Sequence, residues 1–277
     1  MAHIGAIRCL ESCGYEITYI SGSSIGALVG GIYAAGKLET YADWVCELQK
    51  RDIVSLLDWS FSRGAIFSGD KVISVLEEMI GECQIEELKI GFTAVATEIK
   101  TKREIWLNRG PLFEAIRASI AMPLIFAPLE KDGLVLVDGG LINPVPIAPT
   151  LNDDSALTIA IDLNGRTERL ESSDESEVTD SKGGATDLRD RIAKFIDDIR
   201  PTTTPDENAS PSAIELAMGS IDIMQSSISR MKLAAYSPAL TVSIPRNLST
   251  FLEFHRAKEL IDFGYRRTLQ TLEPVSY

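Results

Sequence analysis

The amino-acid sequence predicts an α/β fold, a mainly parallel sheet flanked by helices. Short runs of β-branched and apolar residues alternate along the chain with segments of helical periodicity, as in sheets covered by helices on both faces. The chain has 277 residues, of which 45% are hydrophobic, so it is long enough and apolar enough to bury a large core. We therefore expect a single domain over residues 1–277.

Helices are predicted where apolar residues recur every three to four positions, as Ile4, Ile7 and Leu10 do near the N-terminus. In chain order the predicted helices cover residues 2–14, 27–35, 41–49, 71–79, 111–120, 213–233 and 251–272. Each of these segments is long enough to present one apolar face to a sheet.

Strands are predicted where β-branched and apolar residues form short continuous runs. In chain order the predicted strands cover residues 16–20, 91–96, 134–137, 156–161 and 239–244. Asp132-Gly133 directly precedes the third of these runs and is a favoured pair in a tight hairpin turn. The sequence thus places a β-hairpin before Asp138.

The composition changes at about residues 165–190, where Asp, Glu, Ser, Thr and Gly dominate. A polar, acidic stretch of this kind predicts a mobile insert, because it has little apolar surface to bury. A helix over residues 187–200 follows, with one apolar face formed by Leu188, Ile192, Phe195, Ile196 and Ile199. Two interpretations stay open for it: a lid over an active site, or a helix that packs on the core.

The charge balance argues against nucleic acid as a partner. Lys and Arg total 27 against 40 Asp and Glu, which gives a formal net charge of −13. Binding to phosphate backbones, or to a membrane through a polybasic segment, needs the opposite sign. With no apolar run of about 18–20 residues and no signal peptide, we expect a cytoplasmic protein. The four cysteines lack metal-ligand spacing, so we expect no metal site.

The strongest local motif is Gly22-Ser23-Ser24-Ile25-Gly26, a G-x-S-x-G pattern. Such a pattern occurs by chance in roughly one chain in ten of this length. Its position between a predicted strand and a predicted helix is typical of a nucleophile elbow, in which Ser24 exposes its hydroxyl. In that arrangement the N-terminus of the helix lies where negative charge develops during the reaction at the serine. The alternative is a Gly/Ser turn without chemistry.

A serine nucleophile needs a base, and the chain has only two histidines, His3 and His255. Neither follows a predicted strand, so we interpret both as non-catalytic. Asp138 ends a predicted strand and is followed by Gly139 and Gly140. An aspartate within hydrogen-bond reach of the serine can act as the base. The alternative is an ordinary turn aspartate at a strand end.

Together these motifs resemble the patatin-like phospholipase family, and bacterial members in particular. The resemblance rests on the G-x-S-x-G elbow, on Asp138-Gly139-Gly140, and on residues 115–128, which resemble the family run R-A-S-x-A-x-P-x-x-F-x-P. Residues 2–11 also resemble the helix that follows the family's oxyanion loop, and 239–244 and 254–264 resemble its C-terminal part.

The resemblance implies a patatin-like three-layer fold and a serine lipid acyl hydrolase, a phospholipase or esterase of lipid degradation that acts through an acyl-enzyme. It implies that Ser24 is the nucleophile and Asp138 the base of a Ser–Asp dyad. The residues implied beside this dyad are Gly22, Ile25 and Gly26 at the elbow and oxyanion region, and Gly139 and Gly140 in the turn that supports Asp138.

The resemblance implies no metal and no organic cofactor. The expected substrate is a fatty-acyl ester or phospholipid, with peripheral contact to a membrane. The alternative is a non-catalytic patatin-like interaction or regulatory protein that keeps the fold.

The family's glycine-rich oxyanion loop and the strand before it would precede the segment that matches residues 2–11. The sequence starts at Met1-Ala2-His3 and contains neither. We expect the natural reading frame to extend upstream. We also expect the shorter chain to hydrolyse esters at least ~10²-fold more slowly, because oxyanion donors contribute that much.

Overall fold

The computed structural model describes residues 1–58, 65–168, 212–249 and 253–273. The helices are Ala2–Ser12 (α1), Ile25–Ala34 (α2), Leu38–Glu47 (α3), Lys50–Leu56 (α4), Asp70–Ile80 (α5), Leu112–Ser119 (α6), Ala213–Tyr236 (α7) and Ala257–Leu272 (α8). The strands are Tyr19–Ser23 (β1), Ala65–Phe67 (β2), Gly91–Glu98 (β3), Arg103–Leu107 (β4), Leu124–Phe126 (β5), Leu129–Lys131 (β6), Leu134–Asp138 (β7), Ile159–Gly165 (β8) and Leu240–Pro245 (β9). Helices and strands alternate, which confirms the predicted α/β class.

The main sheet has the order β1-β3-β7-β6, and β4 also pairs with β3. β1 runs parallel to β3, whereas β3–β4, β3–β7 and β6–β7 are antiparallel. The pairs β2–β5 and β8–β9 are parallel. β3–β4 and β6–β7 are antiparallel because their connections are too short for a crossover helix, whereas β7 returns antiparallel to β3 after α6. The main sheet is therefore mixed rather than mainly parallel. Asp132 and Gly133, both with positive φ, form the tight turn that the sequence predicts between β6 and β7.

β3 is the central strand of the main sheet and is buried on both faces. Its residues Phe92, Ala94, Val95 and Ala96 are all at most 2% exposed. α2 and α6 both contact β3, so helices cover this strand, which has β4 along one edge and β1 followed by β7 along the other. This packing is consistent with a three-layer arrangement, and it sets the positions of the two strand ends that carry the candidate site.

Several boundaries differ from the sequence prediction. β1 covers Tyr19–Ser23 rather than residues 16–20, because pairing with β3 outweighs the weak strand preference of its Ser and Gly residues. β8 likewise starts later, at Ile159. The sequence analysis missed α4, β2, β4 and β5, which are short and lack a clear period.

The acidic insert and the lid helix fall largely outside the described residues, which stop at Glu168 and resume at Ser212. Both stay predictions, as does the single domain over residues 1–277. The closing helix begins at Ala257, after the 3-10 turn Phe254–Arg256.

α1 and α8 pack against each other with their backbones in close approach. A Cβ added at Gly5 of α1 would lie 1.9 Å from the Ile261 carbonyl oxygen. A Cβ added at Gly264 of α8 would lie 2.1 Å from the carbonyl oxygen of Ala2. Glycine at these two positions therefore lets the N-terminal helix lie against the C-terminal one.

We expect Gly5→Ala to lower the free energy of unfolding by roughly 1–3 kcal/mol, because the added methyl group forces two backbones apart. Gly219→Ala in α7 is the matched control, since nothing lies within 4 Å of a Cβ there. The control is expected to raise stability by about 0.5–1 kcal/mol, the usual gain for alanine over glycine inside a helix. Urea unfolding of both variants measures this. Equal effects would show that α1 and α8 are not in close contact.

Candidate active site

Ser24 lies at the turn between β1 and α2 in a conformation that L-residues rarely adopt. Its φ is 55° and its ψ is −127°, and it is the N-cap residue of α2. A Cβ added at Gly22 would come within 2.4 Å of the Gly26 backbone, so the strand and the helix can meet this closely only with glycine at position 22. This is the geometry of a nucleophile elbow, in which the turn exposes the serine side chain.

Buried hydrogen bonds hold the elbow in place. The Ser24 N–H donates to Ser119 Oγ at 3.0 Å, and Ser119 Oγ donates to the Val95 carbonyl at 2.6 Å. Ser23 Oγ donates to the Asn143 carbonyl at 2.7 Å. The fully buried Ser119 therefore ties the elbow to the central strand β3.

Gly26 has a different environment from Gly22. Its φ is not positive, and a Cβ there would meet only His3 Nε2, at an ordinary contact distance of 3.7 Å. Close backbone approach therefore requires glycine at position 22 but not at position 26.

Asp138 ends β7 and its side chain is completely buried. The sheet register brings it near the elbow, since Ser23 pairs with Val95 and the next residue of β3, Ala96, pairs with Asp138. Its backbone N–H donates to the Ala121 carbonyl at 3.0 Å. β4 pairs with these same residues of β3, so β1 and β7 follow one another along its other edge, and Ser24 and Asp138 lie beside the same edge of β3.

The Asp138 carboxyl group is electrostatically unusual. Burial raises its pKa to about 6 from an ordinary 3.8, and hydrogen bonds from the Ser24 hydroxyl and the Gly140 N–H lower it in part. The Gly140 bond to Oδ1 is 2.7 Å long, whereas Oδ2 has no partner at standard geometry. The Ser24 hydroxyl is therefore the side-chain group that interacts with the Asp138 carboxyl group, although this contact does not reach the geometry of an ideal hydrogen bond. Such loose contacts are common at catalytic sites before substrate binds.

The two glycines after Asp138 are required by close packing. A Cβ at Gly139 would lie 2.1 Å from the Val95 carbonyl oxygen, and one at Gly140 would lie 2.8 Å from Gln225 Nε2. Gly139 lets the turn lie directly against the β3 backbone, and Gly140 lets α7 approach Asp138. The Asp-Gly-Gly motif therefore supports the position of the carboxyl group.

A cleft of about 830 Å³ opens in front of Ser24, which lines it together with Gly140. Among the described residues, β1 pairs with β3 alone, and the cleft lies along its other edge, with β8 and part of α7 across from it. The polar side chains on its wall include Ser21, Asn164 and Gln225.

The N-terminal end of α2 faces this cleft through Ile25 and Gly26. The first N–H groups of a helix have no partner within the helix, and they carry partial positive charge. Here the intrahelical bonds begin with the Ala27 and Leu28 N–H groups, which donate to the Ser24 carbonyl at 2.9 and 3.1 Å. The N–H groups of Ile25 and Gly26 thus stand where negative charge would be stabilised.

The two histidines have different positions. His3 lines the cleft, and burial lowers its pKa to about 3, so its ring is neutral at pH 7. His255 lies in the 3-10 turn before α8 and is not among the residues that line the cleft. Sequence position alone did not reveal that His3 lies at the elbow. The roles of Ser119 and Gln225 were missed too, although Ser119 belongs to the run of residues 115–128 in which the family resemblance was recognised.

The described residues contain no group of three or more His, Cys, Asp or Glu side chains placed to bind a metal ion. In the same parts of the chain, no helix is long and apolar enough to cross a membrane. The absence of a cofactor and the cytoplasmic location stay predictions.

Comparison with known proteins agrees with the motifs. The family model described as patatin-like phospholipase matches residues 1–151. An NTE family protein of Mycobacterium tuberculosis is 36% identical over 315 residues, which cover 98% of this chain and 88% of that protein. Patatin-like phospholipase domain-containing protein 7 of Rattus norvegicus is 30% identical over 173 residues, which cover 60% of this chain and 13% of that protein.

Among solved structures, VipD from Legionella pneumophila superposes with a TM-score of 0.45 at 14% identity, covering 98% of this chain and 64% of that one. The family match and the mycobacterial relative each extend over more than half of the chain and include both Ser24 and Asp138. The chain belongs to the patatin-like phospholipase family, a family of lipid hydrolases.

Proposed function

We propose that this protein hydrolyses fatty-acyl esters with Ser24 as nucleophile and Asp138 as general base. The observation that carries the proposal is the pairing of a strained, half-buried serine with a completely buried carboxyl group on which its hydroxyl acts. A serine hydroxyl is a weak nucleophile until a base accepts its proton. Asp138 is the described carboxyl group that supplies such a base at the elbow.

The reaction follows from this arrangement in two steps. Ionised Asp138 accepts the hydroxyl proton while Ser24 Oγ bonds to the ester carbonyl carbon and the carbonyl oxygen gains the negative charge. The bond to the alcohol then breaks, the alcohol takes the proton from Asp138, and the acyl group stays on Ser24. Water next attacks the acyl carbon while Asp138 accepts its proton. Ser24 Oγ leaves with that proton, and the carboxylic acid is released.

The developing oxyanion has donors available at the start of α2. The N–H groups of Ile25 and Gly26 border the cleft beside Ser24, and preorganised donors of this kind are worth about 3–4 kcal/mol each in acyl transfer. The Gly26 backbone is uncovered on its cleft side, since the nearest side-chain atom to a Cβ added at this position would be His3 Nε2, at 3.7 Å. An ester carbonyl oxygen can therefore approach both groups.

The raised pKa of Asp138 suits it to the role of base. Proton transfer is most efficient when the pKa of the base lies near the working pH, because the base is then both ionised and strong enough. With a pKa of about 6, Asp138 is mostly ionised at pH 7 and is a stronger base than an exposed aspartate.

Ser24→Ala and Asp138→Asn are each expected to lower kcat/KM for a soluble ester at least ~10³-fold, because a nucleophile and its base act as one unit. For the same reason, the double variant should lose no more than the Ser24 variant. Ser226→Ala and Asp162→Asn are matched controls, since both side chains are buried and neither lines the cleft. Hydrolysis by all five variants and thermal unfolding measure this. Wild-type turnover in either dyad variant would leave the non-catalytic alternative as the better account.

We expect kcat/KM to fall about tenfold per pH unit below pH 6, because Asp138 must be ionised to accept the proton. Burial raises the pKa, so activity is lost at a higher pH than for an ordinary aspartate with a pKa of 3.8. A pH–rate profile between pH 4.5 and 8 with a soluble ester is the measurement. A profile that stays flat down to pH 4.5 would rule out Asp138 as the base.

A further inference from the structure

A second cavity opens on the other side of Ser24 and is lined almost entirely by apolar side chains. It has a volume of about 70 Å³, and Ser24, Ile25 and Phe254 line both this cavity and the larger cleft. We call it the apolar pocket; its other lining residues used below are Leu28, Tyr41, Trp44, Leu48, Val72 and Leu76. These side chains come from α2, α5 and the α3 region.

We propose that the apolar pocket binds the acyl chain of the ester and selects chains of about six carbon atoms, while the larger cleft receives the alcohol part. This inference rests on the proposed function, since it says where each half of the ester lies when the ester reacts with Ser24. Nothing in the catalytic assignment requires it, because an acyl-enzyme forms wherever the chain lies.

The chemistry of the walls separates the two ends of the substrate. A polar or charged headgroup would lose its hydrogen bonds among apolar side chains, which makes its burial in the apolar pocket unfavourable. The hydroxyl of Tyr41, a polar atom in this wall, already contacts Met1 Sδ at 3.8 Å. The larger cleft carries Ser21, Asn164, Asp222 and Gln225, which can hydrogen-bond a polar alcohol group.

The volume sets the length of chain that fits. A cavity needs about 10–15 Å³ of free volume for each group the size of a water molecule, and a methylene group is of similar size. The apolar pocket of about 70 Å³ therefore holds roughly five to seven such groups beyond the carbonyl carbon at Ser24, and a six-carbon acyl chain has five. Closely packed walls do not expand readily, so longer chains must leave the pocket or displace its walls.

The walls are rigid where they are most deeply buried. Tyr41 and Leu76 are each 1% exposed, and the Tyr41 ring lies 5.9 Å from the ring of Trp44. Trp44 and Val72 are half-buried. Substitutions at these last two positions therefore change the volume of the pocket with the smallest effect on the core.

The first test is the hydrolysis of a series of 4-nitrophenyl esters from acetate to dodecanoate. Burial of each methylene group is expected to raise kcat/KM about fourfold, up to about six carbons. Beyond that length kcat/KM should stop rising or fall. A value that continues to rise to dodecanoate would overturn the proposed length limit.

Val72→Phe fills the apolar pocket and is expected to move the optimum to shorter chains, with at least a tenfold loss on the hexanoate ester. Val75→Phe is the matched control, because Val75 is a half-buried residue of the same helix that does not line the pocket. Trp44→Ala enlarges the pocket and should move the optimum to longer chains. Trp106→Ala, a change at an exposed tryptophan outside the pocket, should not.

Binding to Ser24→Ala protein tests the pocket without catalysis. By titration calorimetry, hexanoate should bind this variant, and Val72→Phe should weaken that binding at least tenfold while Val75→Phe leaves it unchanged. Hexanoate binding with this pattern in a protein without ester turnover would support the pocket and contradict the proposed function. If Val72→Phe, Val75→Phe, Trp44→Ala and Trp106→Ala all hydrolyse esters with the same chain-length optimum, the pocket proposal alone is overturned. Absence of both ester turnover and hexanoate binding would overturn the pocket proposal and the proposed function together.

Discussion

The strained backbone of Ser24 is the constraint on which the rest of the site depends. A residue held at φ 55° and ψ −127° costs about 1–3 kcal/mol, and it persists only where its surroundings leave no alternative. Here the surroundings are the close contact of Gly22 with α2 and the hydrogen bonds of Ser119 to the Ser24 N–H and to β3. The strained turn leads the chain from β1 into α2 and leaves Ser24 half-buried, where it lines both cavities.

Burial of Asp138 is the second cost that the fold bears at this site. A pKa raised from 3.8 to about 6 means that the folded state holds the proton more tightly than the unfolded chain. Stability therefore falls as the pH rises between these two values, and above pH 6 ionised Asp138 costs about 3 kcal/mol. The turn formed by Gly139 and Gly140 offsets part of that cost through the Gly140 hydrogen bond. The core thus supports a carboxyl group that is costly to bury in its ionised form, and the proposed function uses this group as the base.

The two cavities that meet at Ser24 differ in polarity and lie in different parts of the fold. The larger cleft lies along the edge of β1 and carries polar groups, whereas the apolar pocket lies among helices α2, α3 and α5. Ser24 stands between them because the elbow turns the chain from the strand into α2. In the proposed function, the turn at Ser24 therefore separates the space proposed for the alcohol from the space proposed for the acyl chain.

The motifs that identify Ser24 and Asp138 are local in sequence, so both residues could be found without a structure. Their proximity could not, because it depends on the register of β1 and β7 on β3. Ser119 was recognised only as part of a motif, since its bond to the Ser24 N–H joins positions far apart in the chain. The apolar pocket was not predicted at all, because its walls come from separate helices. His3 was interpreted from its sequence position, which does not reveal that α1 brings it to the elbow.

The interaction of Ser24 with Asp138 is measured most directly by a carboxyl titration. In protein labelled with ¹³C at the aspartate carboxyl groups, the Asp138 signal is the one missing from the Asp138→Asn spectrum. The account predicts a midpoint of about 6, and a higher midpoint in Ser24→Ala, because the hydroxyl lowers this pKa. A midpoint near 3.8, or one that the Ser24 change leaves unaltered, would show that the two side chains do not act together.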